Sequence, residues 1–358
     1  MKKQKIVFIA PYPFGQAPSQ RFRFEQYLHF LENTGFEYEF HSFLSTKTWK
    51  LLYQKGLFFQ KAMGIIGSFI HRFFLLFNLK NVDFIFIHRE ASHIGPPVFE
   101  WIIAKILKKK IIYDFDDAIW LPNFSENNKI FNRLKAYWKV NYCMKWAWKI
   151  TAGNTYLADY ARKFNNNVIV LPTTIDTENH HSIFCDQDKT PLTIGWTGTH
   201  TTMPYVDFLI PILQELEQKY TFVFKIISNE APTYALQSLE FVKWNKTTEI
   251  EDLASIQIGV MPLIKDIWSE GKCGFKALQY MALEIPTVLS PVGVNSTIVE
   301  HAKNGYLVES EKEWYVTLEK LILEKELRKQ VGKAGRTTIE NNYSVNSQKN
   351  IFLSLFMS

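Results

Sequence analysis

The residues best placed to do chemistry lie in the run Ser269-Glu-Gly-Lys-Cys-Gly-Phe-Lys-Ala-Leu-Gln279, where a glycine-bearing loop opens a helix; a strand follows Ile285-Pro286. The first turn of a helix leaves backbone N–H groups unpaired and carries a partial positive charge. A diphosphate seated over Gly271, Lys272, Cys273, Gly274 and Phe275 would therefore be stabilised before any side chain contributed. Lys272 adds a full charge. Lys276 and Gln279 follow four and seven residues later on nearly the same helical face, offering an ammonium and then an amide able to bond sugar hydroxyls. The competing reading is an ordinary amphipathic helix with two solvated lysines.

A second cluster is Ile111-Ile-Tyr-Asp-Phe-Asp-Asp-Ala-Ile-Trp120, a strand that runs into Asp114, Asp116 and Asp117. Like charges this close raise one another's pKa, so they are expected to meet cations or substrate hydroxyls. Asp116 and Asp117 would orient acceptor hydroxyls or pair with Arg21, Arg23 or Arg89; a structural salt-bridge cluster is the alternative. Arg21 and Arg23 fall in the first turn of a helix begun by Ser19-Gln-Arg-Phe-Arg-Phe-Glu25. Cations there oppose the helix dipole, which makes Arg21 a candidate for an acceptor phosphate, unless it simply pairs with Glu25. His88-Arg-Glu90 ends another strand and supplies Arg89 and Glu90 as further acceptor-side candidates. By pattern, Asp114-Phe-Asp116 also resembles the DxD start of haloacid-dehalogenase-like phosphatases, which use Mg²⁺. That motif normally ends the first strand of its fold, whereas several strands come earlier here, and no second acidic pair follows.

Elements of two kinds must position these groups. Ile6 to Ala10, Tyr38 to Phe43, Asp83 to His88, Lys110 to Asp114, Lys149 to Ala152 and Val168 to Leu171 read as strands with helices between them. The alternation restarts with Leu192 to Thr197, Phe222 to Ile227, Ile258 to Met261, Thr287 to Ser290 and Tyr306 to Val308. This is an α/β pattern of two doubly wound parallel-sheet domains. The expected division is residues 1–172, a polar linker 173–190, a second domain 191–342, and a C-terminal segment 343–358 whose helix, Val345 to Phe356, returns to the first domain. In open parallel sheets ligands gather beyond the carboxyl ends of the strands, and two such domains facing each other would enclose a cleft.

The chain has 358 residues, 47% hydrophobic and 21% charged, which suits two globular domains and excludes a disordered or collagen-like chain. The longest run free of charge and histidine in the most apolar region, Ala62 to Ile70, is short, so no transmembrane helix is expected. Met1-Lys-Lys-Gln-Lys5 leads into the first strand and not into a signal sequence. Cys143, Cys185 and Cys273 form no metal or disulfide pattern, which points to a reducing cytoplasm. The net charge of +6 is uneven: residues 1–172 hold 24 Lys/Arg against 12 Asp/Glu, and residues 173–358 hold 17 against 23. A basic first domain suits an anionic membrane surface or a phosphorylated substrate; nucleic acid fits less well, since none of its usual motifs is visible. Between Trp49 and Lys80, Phe58, Phe59, Ile65, Ile66, Phe69, Phe73, Phe74 and Phe77 interleave with Lys50, Lys55, Lys61 and Arg72. The segment reads either as an interfacial element or as helices packed on the sheet.

The chain resembles the family 4 retaining glycosyltransferases (glycosyl transferases group 1), which have the GT-B fold of two facing Rossmann-like domains. The pieces that carry the resemblance are Ala10-Pro-Tyr-Pro-Phe-Gly15, Leu171-Pro-Thr-Thr-Ile-Asp176, Ile194-Gly-Trp-Thr-Gly198, Gly259-Val-Met-Pro-Leu263, Ala277 to Ala282, Pro286-Thr-Val-Leu-Ser290 and Asn304-Gly-Tyr-Leu-Val308. The family usually has two glutamates eight positions apart near this helix. Gly271 and Gln279 stand in those places here, with Glu270 one residue early. Relatives also carry a basic pair where this chain reads Gly198-Thr-His-Thr-Thr202, so Lys272 is the candidate replacement. The resemblance implies a sugar moved with retention from a nucleotide donor to a glycan or lipid-phosphate-linked acceptor, in bacterial cell-surface polysaccharide assembly, with no cofactor or metal. It places Lys272, Glu270 and Asp114 at the reacting centre. Gly198, Thr199, His200 and Trp244 join the donor site, Trp244 by stacking on the base, and domain closure brings the reactants together. The implied location is the cytoplasm, with peripheral attachment to the inner face of the membrane. A relative that binds nucleotide sugars without catalysis is the alternative, motivated by Gly271 and Gln279.

Overall fold

The structure is a computed structural model that describes residues 3–357 apart from 33, 53, 55 and 123–133. The chain divides into two compact units, Met1–Thr173 with Lys349–Ser358, and Thr174–Gln348. Each is built on a six-stranded parallel sheet, because the strands are short runs of β-branched and aromatic residues mostly buried on both faces.

The first unit contains β1 (Gln4–Ala10), β2 (Phe36–Ser42), β3 (Phe84–His88), β4 (Lys110–Phe115), β5 (Lys149–Ala152) and β6 (Val168–Val170), in the order β2-β1-β3-β4-β5-β6. Its helices are α1 (Pro18–Arg21), α2 (Leu28–Glu32), α3 (Thr46–Leu52), α4 (Phe58–Asn78), α5 (Val98–Trp101, continued by a π turn over Ile102–Ile106), α6 (Lys139–Trp146) and α7 (Thr155–Arg162). Right-handed crossovers put α4 to α7 on one face of this sheet and α1 and α2 on the other. The last residues of the chain share the face of α1 and α2. Phe352 stacks on Tyr27 at 4.5 Å, Phe356 packs against Phe8, Phe84 and Phe86, and Lys149 Nζ donates to the carbonyls of Ser354 and Leu355.

The second unit contains β7 (Leu192–Thr197), β8 (Phe222–Ser228), β9 (Leu239–Lys243), β10 (Ile258–Met261), β11 (Thr287–Leu289) and β12 (Tyr306–Leu307), ordered β12-β11-β10-β7-β8-β9. Its helices are α8 (Ile210–Glu217), α9 (Glu249–Ala254), α10 (Ile267–Glu270), α11 (Phe275–Ala282), α12 (Asn295–Ile298), α13 (Glu311–Leu323), α14 (Lys325–Thr338) and the start of α15 (Val345–Ser354). Strand order reverses between β1 and β3 in one sheet and between β7 and β10 in the other, and ligands bind outside the carboxyl ends at such points. Residues 174–190 belong to this unit: buried Arg336 donates to the carbonyls of Thr177 and His181, and buried Arg328 bonds Gln187.

The structure departs from the sequence reading at α4. No helix of spanning length was expected, yet α4 runs 21 residues and, with the turn after it, is long and apolar enough to cross a membrane by length and composition. Counting residues between charges split one helix, because Lys61, His71 and Arg72 do not interrupt its backbone. Of the cations expected along this segment, Lys55 lies outside the described residues.

Candidate functional site

In the second unit the loops after β7 and β10 converge on the first turn of α11. Asp266 caps α10 by accepting from the N–H groups of Trp268 and Ser269. The chain then turns through Gly271 to Gly274, which holds the left-handed conformation at φ 66° and precedes α11 with no side-chain cap. That conformation demands glycine, and a Cβ there would also press on the tip of Ile298 at 2.5 Å.

Lys276 extends from that first turn with its ammonium 4.5 Å from the centre of the Trp196 ring, which is fully buried at the end of β7. Burial, and then the neighbouring charge of Lys272, push the Lys276 ammonium down to about 7. Of the charges that perturb it, none is a carboxylate. Two cations and a helix N-terminus thus lie close together, a combination whose mutual repulsion an anion would reduce. Gly198 follows Trp196, and a Cβ there would strike the indole at 2.5 Å, so glycine keeps the loop close to the ring. In that loop Thr199 Oγ1 and Thr201 Oγ1 are 2.7 Å apart, and the His200 N–H donates to Asn229 Oδ1 at 2.9 Å. Glu270 and Cys273 are half-buried beside the turn.

Deeper along α11, Gln279 is 3% exposed and its amide donates to Glu249 Oε1 at 3.4 Å. Glu249 is itself buried, at the start of α9. Sequence reasoning missed this carboxylate. Its one signal was its position five residues after Trp244, the residue the resemblance placed on the base. Trp244 is partly buried against Ile227, Leu253, Ile256 and Tyr280, so much of its ring belongs to that small core.

In the first unit the three aspartates part company. Asp114 is 1% exposed: it forms an ion pair with Arg23, accepts from Thr151 Oγ1 at 2.7 Å and meets His88 Nδ1 at 2.7 Å. Burial alone would raise its carboxyl, but Arg23 and His88 hold it well below the usual carboxylate range. Asp116 lies at 2.7 Å from both Nε and Nη2 of Arg89, a residue at φ 59°. Asp117 accepts from the N–H of Ala118. Glu90 pairs with Lys139 at 2.9 Å and is held below its ordinary value by Lys139 and His93 in spite of its burial. A small pocket of 30 Å³ at this end of the sheet is lined by Tyr12, Arg89, Glu90, Lys135, Tyr137 and Lys139, among others. Sequence reading had missed Lys135, Tyr137 and Lys139, while Tyr12 lay in the first-strand loop that carries the resemblance. Arg21 lies 4.9 Å from the Phe22 ring, at the end of α1. Among the described residues no group of three or more His, Cys, Asp or Glu is placed to hold a metal ion.

The two sheets and their strand orders are those of the GT-B fold, and solved structures agree. The chain aligns over 99% of its length with 98% of a glycosyltransferase from Rickettsia africae (TM-score 0.67, 14% identity). It aligns as extensively with sucrose-phosphate synthase from Thermosynechococcus elongatus, over 99% of this chain and 98% of that one (0.70, 11% identity). Anabaena HepE, solved in complex with UDP, aligns over 98% of this chain and 99% of its own (0.63, 14% identity). Among curated proteins none matches in sequence. Residues 191–324, most of the second unit, match the model of the glycosyl transferases group 1.

Proposed function

We propose that the chain transfers a sugar, with retention and without a bound metal, from a nucleoside-diphosphate donor held at the first turn of α11. The acceptor is a glycan or lipid-linked phosphate at the carboxyl ends of the first unit's strands, in the assembly of bacterial cell-surface polysaccharide. The observation that carries the reading is the place of Lys276: its ammonium lies against the Trp196 ring at the first turn of α11, beside Lys272, where burial and that second charge push it down to about 7. A diphosphate relieves that repulsion. As the sugar–phosphate bond breaks, charge grows on the leaving oxygen, and Lys272, Lys276 and the N–H groups stabilise it where it forms. The Glu249–Gln279 pair is suited to ribose hydroxyls, with a carboxylate to accept and an amide to bridge. This supplies a carboxylate near Gln279 and favours the enzyme over a relative without catalysis. HepE, also solved in complex with UDP-glucose, makes a uridine donor the first to try. A phosphatase built on Asp114 is disfavoured, because both of that residue's oxygens are engaged by Arg23, Thr151 and His88.

The test is calorimetric titration with a panel of nucleoside diphosphates across pH. A diphosphate favours charged Lys276 and raises its pKa on binding, so binding takes up a proton above about pH 7. Affinity should fall as pH rises through 7, by up to about tenfold per unit. Absence of binding by every member of the panel would refute the reading.

A further inference from the structure

We propose that the outward face of the layer formed by α4, α5 and α6 docks onto an anionic lipid bilayer, lying in its interface and not crossing it. The inference stands independently of the donor site.

Helix α4 is apolar on both sides. One face, with Leu75 and Leu76, is buried on the sheet, and on the other Phe59, Ile66, Ile70, Phe74 and Phe77 are 50–79% exposed. At 3.6 residues per turn the exposed polar residues, Gln60, His71 and Asn78, fall along one edge and leave the rest of the outward face to hydrocarbon side chains. A helix on the surface of a soluble domain ordinarily turns charged residues outward. The apolar surface does not stop at α4. Phe69 stacks on Phe99 of α5, and beyond it Val98 and Trp101 of α5 join Trp138, Tyr142 and Trp146 around a shallow groove of 210 Å³. Trp101, Trp138 and Tyr142 are each 44–54% exposed. Indole and phenol groups bordering a phenylalanine stripe match the order of a membrane interface, where amphipathic rings sit at headgroup depth.

Charge selects the occupant. The sequence has no carboxylate between Glu39 and Asp83, a stretch that includes Lys47, Lys50, Lys61 and Lys80. Glu100, the one acid on α5, is buried and accepts from the Ala91 N–H; α6 has none, and Lys105 and Lys145 are exposed. Among the described residues of these three helices every exposed charge is a cation, and hydrocarbon flanked by cations complements anionic lipid. That α4 lies flat follows from Arg72. Its buried guanidinium donates to the carbonyls of Ala91, His41 and Ala10, so lifting the helix away would strand a charge and three acceptors.

The full chain is mixed with vesicles of phosphatidylcholine alone, or of phosphatidylcholine with an equal part of phosphatidylglycerol, and sedimented. The chain should partition to the anionic vesicles about tenfold or more above the neutral ones, lose that preference at high salt, and show a blue shift of tryptophan emission on binding. Phe74→Ser with Phe77→Ser should reduce partition about tenfold or more with unchanged thermal unfolding, since both rings are already exposed. The proposal is overturned if the folded chain does not partition, or if partition is indifferent to the double substitution. A dimer in solution that the substitutions disperse, without vesicle binding, would also overturn it and assign the face to a second copy.

Discussion

Lys272→Ala is expected to slow sugar transfer by about two powers of ten or more, the usual loss when one preorganised electrostatic contact to a developing charge is removed. The donor's diphosphate already carries charge in the ground state, and the departing nucleoside diphosphate carries more. The lysine's contribution therefore grows along the reaction, and kcat should fall further than donor affinity. Lys272→Arg keeps the charge and should recover part of the loss. Steady-state rates on a productive donor and acceptor measure this; turnover equal to that of the unaltered chain would remove Lys272 from the reacting centre.

The largest effect on stability is expected at Asp114. Asp114→Ala leaves the buried Arg23 guanidinium without its carboxylate and Thr151 without its acceptor, and breaking one side of a buried pair costs about 3–5 kcal/mol. The folded-state carboxyl is held below its unfolded value of about 3.9, so its stabilisation is fully present above that pH and is lost as acid protonates it. The loss should be confined to the first unit. Calorimetric unfolding should show its transition lowered while nucleoside diphosphate binding, which belongs to the second unit, persists. An unchanged transition would show that the pair contributes no net stability.

Much of this architecture was legible because parallel strands are buried on both faces and announce themselves as unbroken apolar runs, as Ile6 to Ala10 and Ile258 to Met261 do. Strand β9 escaped notice for the opposite reason. Leu239-Glu-Phe-Val-Lys243 lies at the sheet edge with its residues partly or largely exposed, and carries charges in its pattern. The helix after Ser269 was legible, but not its start: Lys272 was expected on one helical face with Lys276 and Gln279, whereas the left-handed turn at Gly274 delays α11 to Phe275 and leaves Lys272 in the loop before it. What could not be read were partnerships across the chain. Asp114 meets Arg23 and Thr151 from 91 and 37 positions away, and Gln279 meets Glu249 from 30 away. Neither local periodicity nor charge spacing encodes such distances. The depressed pKa of Lys276 was hidden for the same reason, since it depends on Trp196, eighty positions earlier, lying against its ammonium.

The central claim is most directly tested by a crystal structure of the chain grown with a nucleoside diphosphate. The account predicts phosphate oxygens within hydrogen-bonding distance of Lys276 Nζ and of the N–H groups of the first turn of α11, with the ribose near Glu249 and Gln279. A fully occupied nucleotide whose phosphates lie elsewhere, with the turn at Gly274 untouched, would contradict it.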